Sequence, residues 1–360
     1  MHAILPMVVP QPLPAFLDTK PEDFRSWLEN QSQPSMRWKQ IRRGIVAGRA
    51  ESFDSMSELP RNLRTLLTEQ FAPLSTKIDK HLVATDGTHK LLIRLRDNRT
   101  IESVLIQESP RKTACISTQV GCAMGCVFCA SGLNGVDRNL TSGEILEQLI
   151  RLRNLTGPEE RLTHIVVMGM GEPLANLDNL LEALEIAGNP DGLGIGARHV
   201  TISTVGLPAK MRRLADSGKQ YHLAVSLHAP NDELRSKIVP TNEKTGIADI
   251  LSACDYFVEK TGRQVTYEYI LLGGLNDSTL HARELAALLR GRIAHVNLIP
   301  WNEVEGLPFQ RPQSDSQMQF INALKQSGIS VKVRKRKGAD IDAACGQLRR
   351  KVELETLAKA

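Results

Sequence analysis

The 360-residue sequence predicts an α/β protein: a partial (βα)6 barrel preceded by a small helical domain and a short antiparallel β extension. Three observations carry this expectation. Beyond residue 110, strand-like and helix-like segments alternate, the pattern of a parallel sheet with right-handed crossovers. Residues 81–106 read as strands separated by Asp86-Gly87 and Asp97-Asn98 turns. Residues 20–75 instead place apolar side chains at helical spacing, with Phe24, Trp27 and Leu28 in one segment and Trp38, Ile41 and Ile45 in the next.

In chain order, the opening MHAILPMVVPQPLPAF is interrupted by four prolines and lacks a basic lead. Residues 1–19 are therefore expected to be a disordered tail, neither a signal segment nor a membrane anchor. The helical domain covers 20–75, and its second helix carries Arg37, Lys39, Arg42 and Arg43, a face suited either to phosphates or to plain solvent. The β extension, 76–110, contains HLVAT, KLLIRLR and TIESVLI; Glu102 lies on the last, where a lone acid ordinarily faces water. The barrel, 111–336, has candidate strands ACISTQV, LTHIVVM, HVTISTV, YHLAVSL, QVTYEYILL and AHVNLIP, with helical patterns between them. Thr141 and Glu144 have the spacing of a capping box at the first of those helices. Residues 337–360 form a C-terminal tail.

Composition is that of a globular chain, 41% apolar and 24% charged, with a net charge of +5 that only weakly favours a polyanionic partner. No apolar run is long enough to span a membrane, so a cytoplasmic location is expected. Three of the six cysteines, Cys122, Cys126 and Cys129, crowd into GCAMGCVFC, a CxxxCxxC spacing that suits a reducing compartment and a chelate better than a disulfide framework. A closed zinc site or a four-thiolate iron-sulfur site needs one ligand more. A cubane cluster on three cysteines keeps one iron open for an outside ligand; an incidental thiol patch and a zinc ion completed by a distant residue are the alternatives. Cys254, inside a helical pattern, reads as inert packing.

Other unusual residues fall at the carboxyl ends of the predicted strands, where chemistry gathers in such folds. Met168-Gly-Met-Gly-Glu-Pro173 follows the second strand, Ser203 ends the third, Ser226-Leu-His228 ends the fourth and Pro300-Trp-Asn302 follows the sixth. Individually each has an ordinary structural reading; their common rim raises their weight, and glycines there admit close backbone approach to a small molecule.

With the cysteine loop, the GEP segment and the six-unit pattern assembled, the sequence resembles the radical SAM superfamily. Its ending, Gly338-Ala-Asp-Ile-Asp-Ala-Ala-Cys-Gly-Gln-Leu348, is similar to the tail shared by RlmN/Cfr-family RNA methyltransferases, over essentially residues 20–350. MGMGEPL, SLHAPND, IPWN and VRKRKG resemble the RlmN branch rather than the Cfr branch, which methylates C8. Val136 and the EVEGLPF stretch after Asn302 depart from the common pattern.

The resemblance implies a [4Fe-4S] cluster on Cys122, Cys126 and Cys129, and S-adenosylmethionine contacts from Gly171, Glu172, Ser203, Ser226, Leu227, His228 and Asn302. It implies that Cys345 carries a methyl group, that Cys115 is its disulfide partner and that Glu102 accepts a proton. The implied reaction methylates C2 of an adenosine in the peptidyl-transferase centre of 23S rRNA and of an adenosine in tRNA, through an S-methylcysteine and a transient protein–RNA adduct, with two S-adenosylmethionine per turnover. A radical route suits C2, an electron-poor carbon that offers no nucleophile to a polar methyl donor. Implied partners are rRNA, tRNA and an electron donor such as flavodoxin or ferredoxin, for a monomeric enzyme with no membrane association. Five basic residues between Lys332 and Lys337, followed by Arg349, Arg350 and Lys351, flank Cys345 with charge suited to phosphates or to solvent.

Overall fold

The computed structural model describes residues 13–348. The helical domain is α1 (Pro21–Asn30), α2 (Arg37–Val46) and α3 (Arg61–Gln70). Each buries one stripe, and the stripes meet around Phe24, Leu28, Trp38, Ile41, Ile45, Leu63 and Leu67. Residues 13–19 depart from the expected disorder. Phe16 is fully buried against Phe24, Trp38 and Phe53, and the Asp18 carboxylate accepts hydrogen bonds from Gly143 N and Thr141 Oγ1. One aromatic side chain with a prepared pocket outweighs the local proline content. The rest of the expected tail, residues 1–12, lies outside the described residues.

Next come β1 (Lys77–Val83), β2 (His89–Arg94) and β3 (Thr100–Glu108), an antiparallel meander. β4 (Arg111–Cys115) pairs antiparallel with β3 and parallel with β7 (His164–Val167), so the extension and the barrel share one sheet. The predicted first strand, ACISTQV, is split. Its pairing ends at Cys115, and Gln119–Gly121 (β5) turns away to pair with β6 (Val136–Asn139), a strand the pattern did not announce.

The barrel continues through α4 (Ser142–Asn154), α5 (Leu177–Gly188), β8 (Val200–Thr204), α6 (Pro208–Asp216), β9 (His222–Ser226), α7 (Asp232–Ile238), α8 (Ile247–Thr261), β10 (Val265–Leu271), α9 (Thr279–Leu288), β11 (Ala294–Pro300), α10 (Ser314–Gln326) and β12 (Ser330–Val333). Sheet order is β1-β2-β3-β4-β7-β8-β9-β10-β11-β12, parallel from β4 onward. The α/β partial barrel thus stands, with a short β12 added beside β11. The capping box opens α4 in both directions, Thr141 Oγ1 accepting from Glu144 N and Glu144 Oε2 from Thr141 N. Two cores result: a large one between sheet and helices, and a second beneath the cysteine loop built on Phe128, Val205, Ile238, Ile270 and Trp301. Cys254 lies in the first, fully buried. Among the described residues no helix is long and apolar enough to cross a membrane.

Candidate active site

Strand register decides which side chains face the barrel mouth. Val104 on β3 is directly opposite Cys115 on β4, and Cys115 is opposite Val166 on β7. Side chains of paired residues share a sheet face, and so do residues two apart. Glu102 therefore lies on the face that carries Cys115. The opposite face meets α4, where Ser103 Oγ reaches Gln148 Oε1.

The cysteine loop is held by its own backbone and by the second core. Cys122 N donates to Gly135 O, Val127 N to Ile238 O, and Cys129 N to Cys126 O. Trp301 Nε1 donates to Phe128 O at 3.2 Å, while the Phe128 ring meets the His228 ring edge-on, centroids 4.9 Å apart. The MGMGEP segment folds tightly over the strand ends. Gly171 has φ +101°, and a Cβ there would come within 2.8 Å of Gln119 N, so a larger residue is excluded on both counts.

One cavity gathers Cys122, Cys126, Cys129, Gly171, Glu172, Ser203, Ser226, His228 and Cys345. Glu172 is buried, and its carboxylate accepts from Leu174 N and Val205 N at 3.0 and 2.8 Å. Burial raises its pKa against the lowering effect of those bonds. His228 adopts φ +62°, and its Nδ1 accepts from Ile270 N at 3.1 Å. That bond fixes the neutral tautomer with the proton on Nε2, and burial, assisted by Arg235, lowers the ring pKa to about 3.

Three expected residues sit differently. Leu227 is fully buried in the main core, and its backbone N donates to Glu268 O. Asn302 lies on the far side of Cys345, donating Nδ2 to the Cys345 carbonyl at 3.1 Å, and lines a smaller adjoining cavity. Glu102, solvent-facing on the ordinary reading of a strand acid, is only 4% exposed and pairs with Lys90 at 3.1 Å.

Cys345 belongs to a strap across the mouth. On one side Gly338 N donates to Asp86 Oδ2 and Thr85 N to Asp340 Oδ2. On the other, Ala130 N donates to Gly346 O, Ser131 Oγ to Leu348 O, and Gln347 Nε2 to Glu303 O. The strap ties the β1–β2 turn to the cysteine loop. The implied Cys115–Cys345 disulfide is absent: both are free thiols. Burial, with Cys345 nearby, pushes the Cys115 thiol up to about 12.

Sequence reasoning missed two arginines. Arg334, read as part of a surface basic run, lines the main cavity, where Cys345 is the leading cause of its raised pKa and Glu268 adds to it. Nothing in the run VKVRKRK, where Lys332 two residues earlier is exposed, sets Arg334 apart from its basic neighbours. Arg235, 1% exposed, reaches Leu227 O, Val205 O, Ser226 O and Asn242 Oδ1, binding the ends of β8 and β9. Nothing in NDELRSKI distinguishes it from a surface arginine. Of the other flanking basic residues, Lys337 pairs with Glu108, and Arg349, Arg350 and Lys351 lie outside the described residues.

The three cysteines of the loop border one cavity. Three soft thiol donors around one space fit an iron-sulfur cluster held at three corners. Burial pushes Cys122 up to about 12 and raises Cys126 and Cys129 as well, so binding such a cluster releases their protons.

The Radical SAM superfamily model matches residues 116–286. The "Probable dual-specificity RNA methyltransferase RlmN" of Rhodopirellula baltica is 53% identical over 329 residues, 91% of this chain and 89% of that protein. The protein of the same name from Alkaliphilus oremlandii is 47% identical over 331 residues, 92% and 96% of the two chains. The crystal structure of a radical SAM methyltransferase from Sphaerobacter thermophilus matches with a TM-score of 0.90 and 42% identity, covering 94% of this chain and 100% of that one. With the cysteine loop, the strap and this similarity along nearly its full length, the chain belongs to the RlmN family of the radical SAM superfamily.

Proposed function

We propose that this protein methylates C2 of an adenosine in the peptidyl-transferase centre of 23S rRNA and of an adenosine in tRNA, with Cys345 carrying the methyl group. The observation that carries this reading is that Cys345 borders the same cavity as Cys122, Cys126 and Cys129. A methyl-bearing sulfur on Cys345 would then share the space in which the cluster and S-adenosylmethionine would act.

Cys122, Cys126 and Cys129 would hold a [4Fe-4S] cluster, which with S-adenosylmethionine would supply one-electron radical chemistry and the methyl group. Glu172, Ser203, Ser226 and His228, on the same cavity, hold and orient S-adenosylmethionine. Neutral His228 contributes an Nε2 donor without adding positive charge. Asn302 holds the carrier's backbone. Once the methylene on Cys345 has joined the adenine carbon, the odd electron of the adduct would return to the oxidised cluster and Glu102 takes the C2 proton. Cys115 then attacks the Cys345 sulfur, a disulfide forms as the sulfur–carbon bond breaks, and the freed carbon takes up a proton to become the product methyl. The electron donor later reduces the disulfide. Buried Cys115 needs its proton removed for that attack; Arg334, which lowers its pKa, assists.

A stacked base hides its C2 edge, so the target adenosine is splayed into the mouth. The exposed basic residues of α2 and the strap's flanking lysines contact phosphates around it. The enzyme works as a cytoplasmic monomer and draws electrons from a flavodoxin or ferredoxin.

The test is incubation of the reduced holoenzyme with unmodified 23S rRNA or tRNA and methyl-labelled S-adenosylmethionine. Label on adenine C2 supports the reading. Label on C8 alone refutes the regiochemistry, and no label in RNA refutes the activity.

A further inference from the structure

Lys90 on β2 and Glu102 on β3 form an ion pair at 3.1 Å with both side chains 5% exposed. They are not directly opposite. Lys90 is across from Val104, and Glu102 from Leu92, so the pair runs diagonally on the face that also carries Cys115. The same ammonium donates to the carbonyl of Asp342 at 3.1 Å, on the strap three residues before Cys345. Asp342 takes a left-handed conformation, φ +50°, which Asp tolerates better than most residues. One buried cation thus joins the carboxylate, the carrier's backbone and the sheet that holds Cys115.

Stability alone is a poor reason for such a pair. Taking two charges out of water costs about as much as their attraction returns, and apolar replacements of equal volume are often as stable. Function gives a better reason. A carboxylate must be ionised to accept a proton, and an ammonium at hydrogen-bond distance favours the ionised form.

We propose that Lys90 is a positioning residue for the proton-transfer step, holding the Glu102 carboxylate ionised and in register with the strap that bears Cys345. This rests on the reading of Glu102 as proton acceptor. In that step the RNA adduct, its odd electron already returned to the oxidised cluster, loses its C2–H bond; the electron pair stays with the ring, and an O–H bond forms on Glu102. Lys90 keeps its proton throughout. It acts through Glu102 and through the strap, not on the substrate.

The test compares single turnovers of the reduced holoenzyme with Lys90→Met, Lys90→Gln, Lys90→Arg, Glu102→Gln and the Lys90→Met/Glu102→Gln double variant. Methyl on Cys345 is read by protein mass spectrometry, the covalent adduct on a denaturing gel and methyladenosine in released RNA. Lys90→Met is expected to methylate Cys345 normally, accumulate adduct and release product at least about tenfold more slowly. Lys90→Arg should restore release to within a few fold, and adding Lys90→Met to Glu102→Gln should change nothing further. Lys90→Gln keeps a donor without the charge and serves where Lys90→Met is too unstable to purify. Wild-type release by both uncharged variants, with Glu102→Gln stalled, overturns the proposal; so does a full Lys90→Met effect in the Glu102→Gln background. Loss of Cys345 methylation in Lys90→Met also overturns it, by showing that the residue serves the strap alone. Normal release by Glu102→Gln overturns the reading of Glu102, and this proposal with it.

Discussion

Asn302 donates its side-chain amide to the backbone carbonyl of Cys345 at 3.1 Å, so the segment just after β11 holds the residue proposed to carry the methyl group. Replacing Asn302 with Ala removes one largely buried bond, worth on the order of 1 kcal/mol. If that loss appears in the placement of Cys345, RNA methylation slows about fivefold. Iron content, measured colorimetrically, should stay at the wild-type level because the strap's own bonds to the cysteine loop, Ala130 N to Gly346 O and Ser131 Oγ to Leu348 O, are left in place.

Arg235 stitches β8 to β9 through three backbone carbonyls. Arg235→Met leaves those carbonyls and Asn242 Oδ1 without this donor, and a loss of about 2–4 kcal/mol is expected. Urea unfolding should show a lowered midpoint with an unchanged slope.

Cys126 packs against an apolar core built on Phe128, Ile238 and Trp301. Cys126→Ala should therefore purify anaerobically as a colourless, iron-poor protein with the wild-type far-ultraviolet circular dichroism. Cleavage of S-adenosylmethionine to 5′-deoxyadenosine should be lost with the iron.

Acid should destabilise the amino-terminal rim of the barrel. His164 is held near pKa 4 by burial first, then by Arg111, His199 and His222. Its unfolded-state value is about 6.5. Between these values the unfolded chain binds a proton that the folded chain refuses, so this contribution to stability is lost as pH falls from 6.5 toward 4. His164→Gln should flatten the dependence of the urea midpoint on pH across that window. His222, also lowered by burial and by Arg263, retains a share of the slope.

Much of the fold was legible because alternating hydrophobic patterns and turn residues bear directly on strand and helix. The Thr141–Glu144 cap and the βα alternation needed no long-range information. The split after Cys115 was not legible, since ACISTQV is uniformly strand-like and only the competing partner Val136–Asn139 pulls its end away. Phe16 was hidden by its prolines. At the site, CxxxCxxC announces itself by spacing, and Cys345 by the similarity of its tail. Burial of Glu102 depends on Lys90, which pattern alone cannot pair across a sheet. Arg235 and Arg334 look like surface cations until tertiary structure closes around them.

The central claim is that the methyl group reaches RNA by way of Cys345. The most direct measurement follows S-adenosylmethionine with a fully deuterated methyl group through several turnovers, with mass spectrometry of the modified adenosine. Abstraction of one deuterium from the methyl on Cys345 means that the product methyl retains two of the three. A product methyl that retains all three would mean direct polar transfer to RNA and would contradict the account.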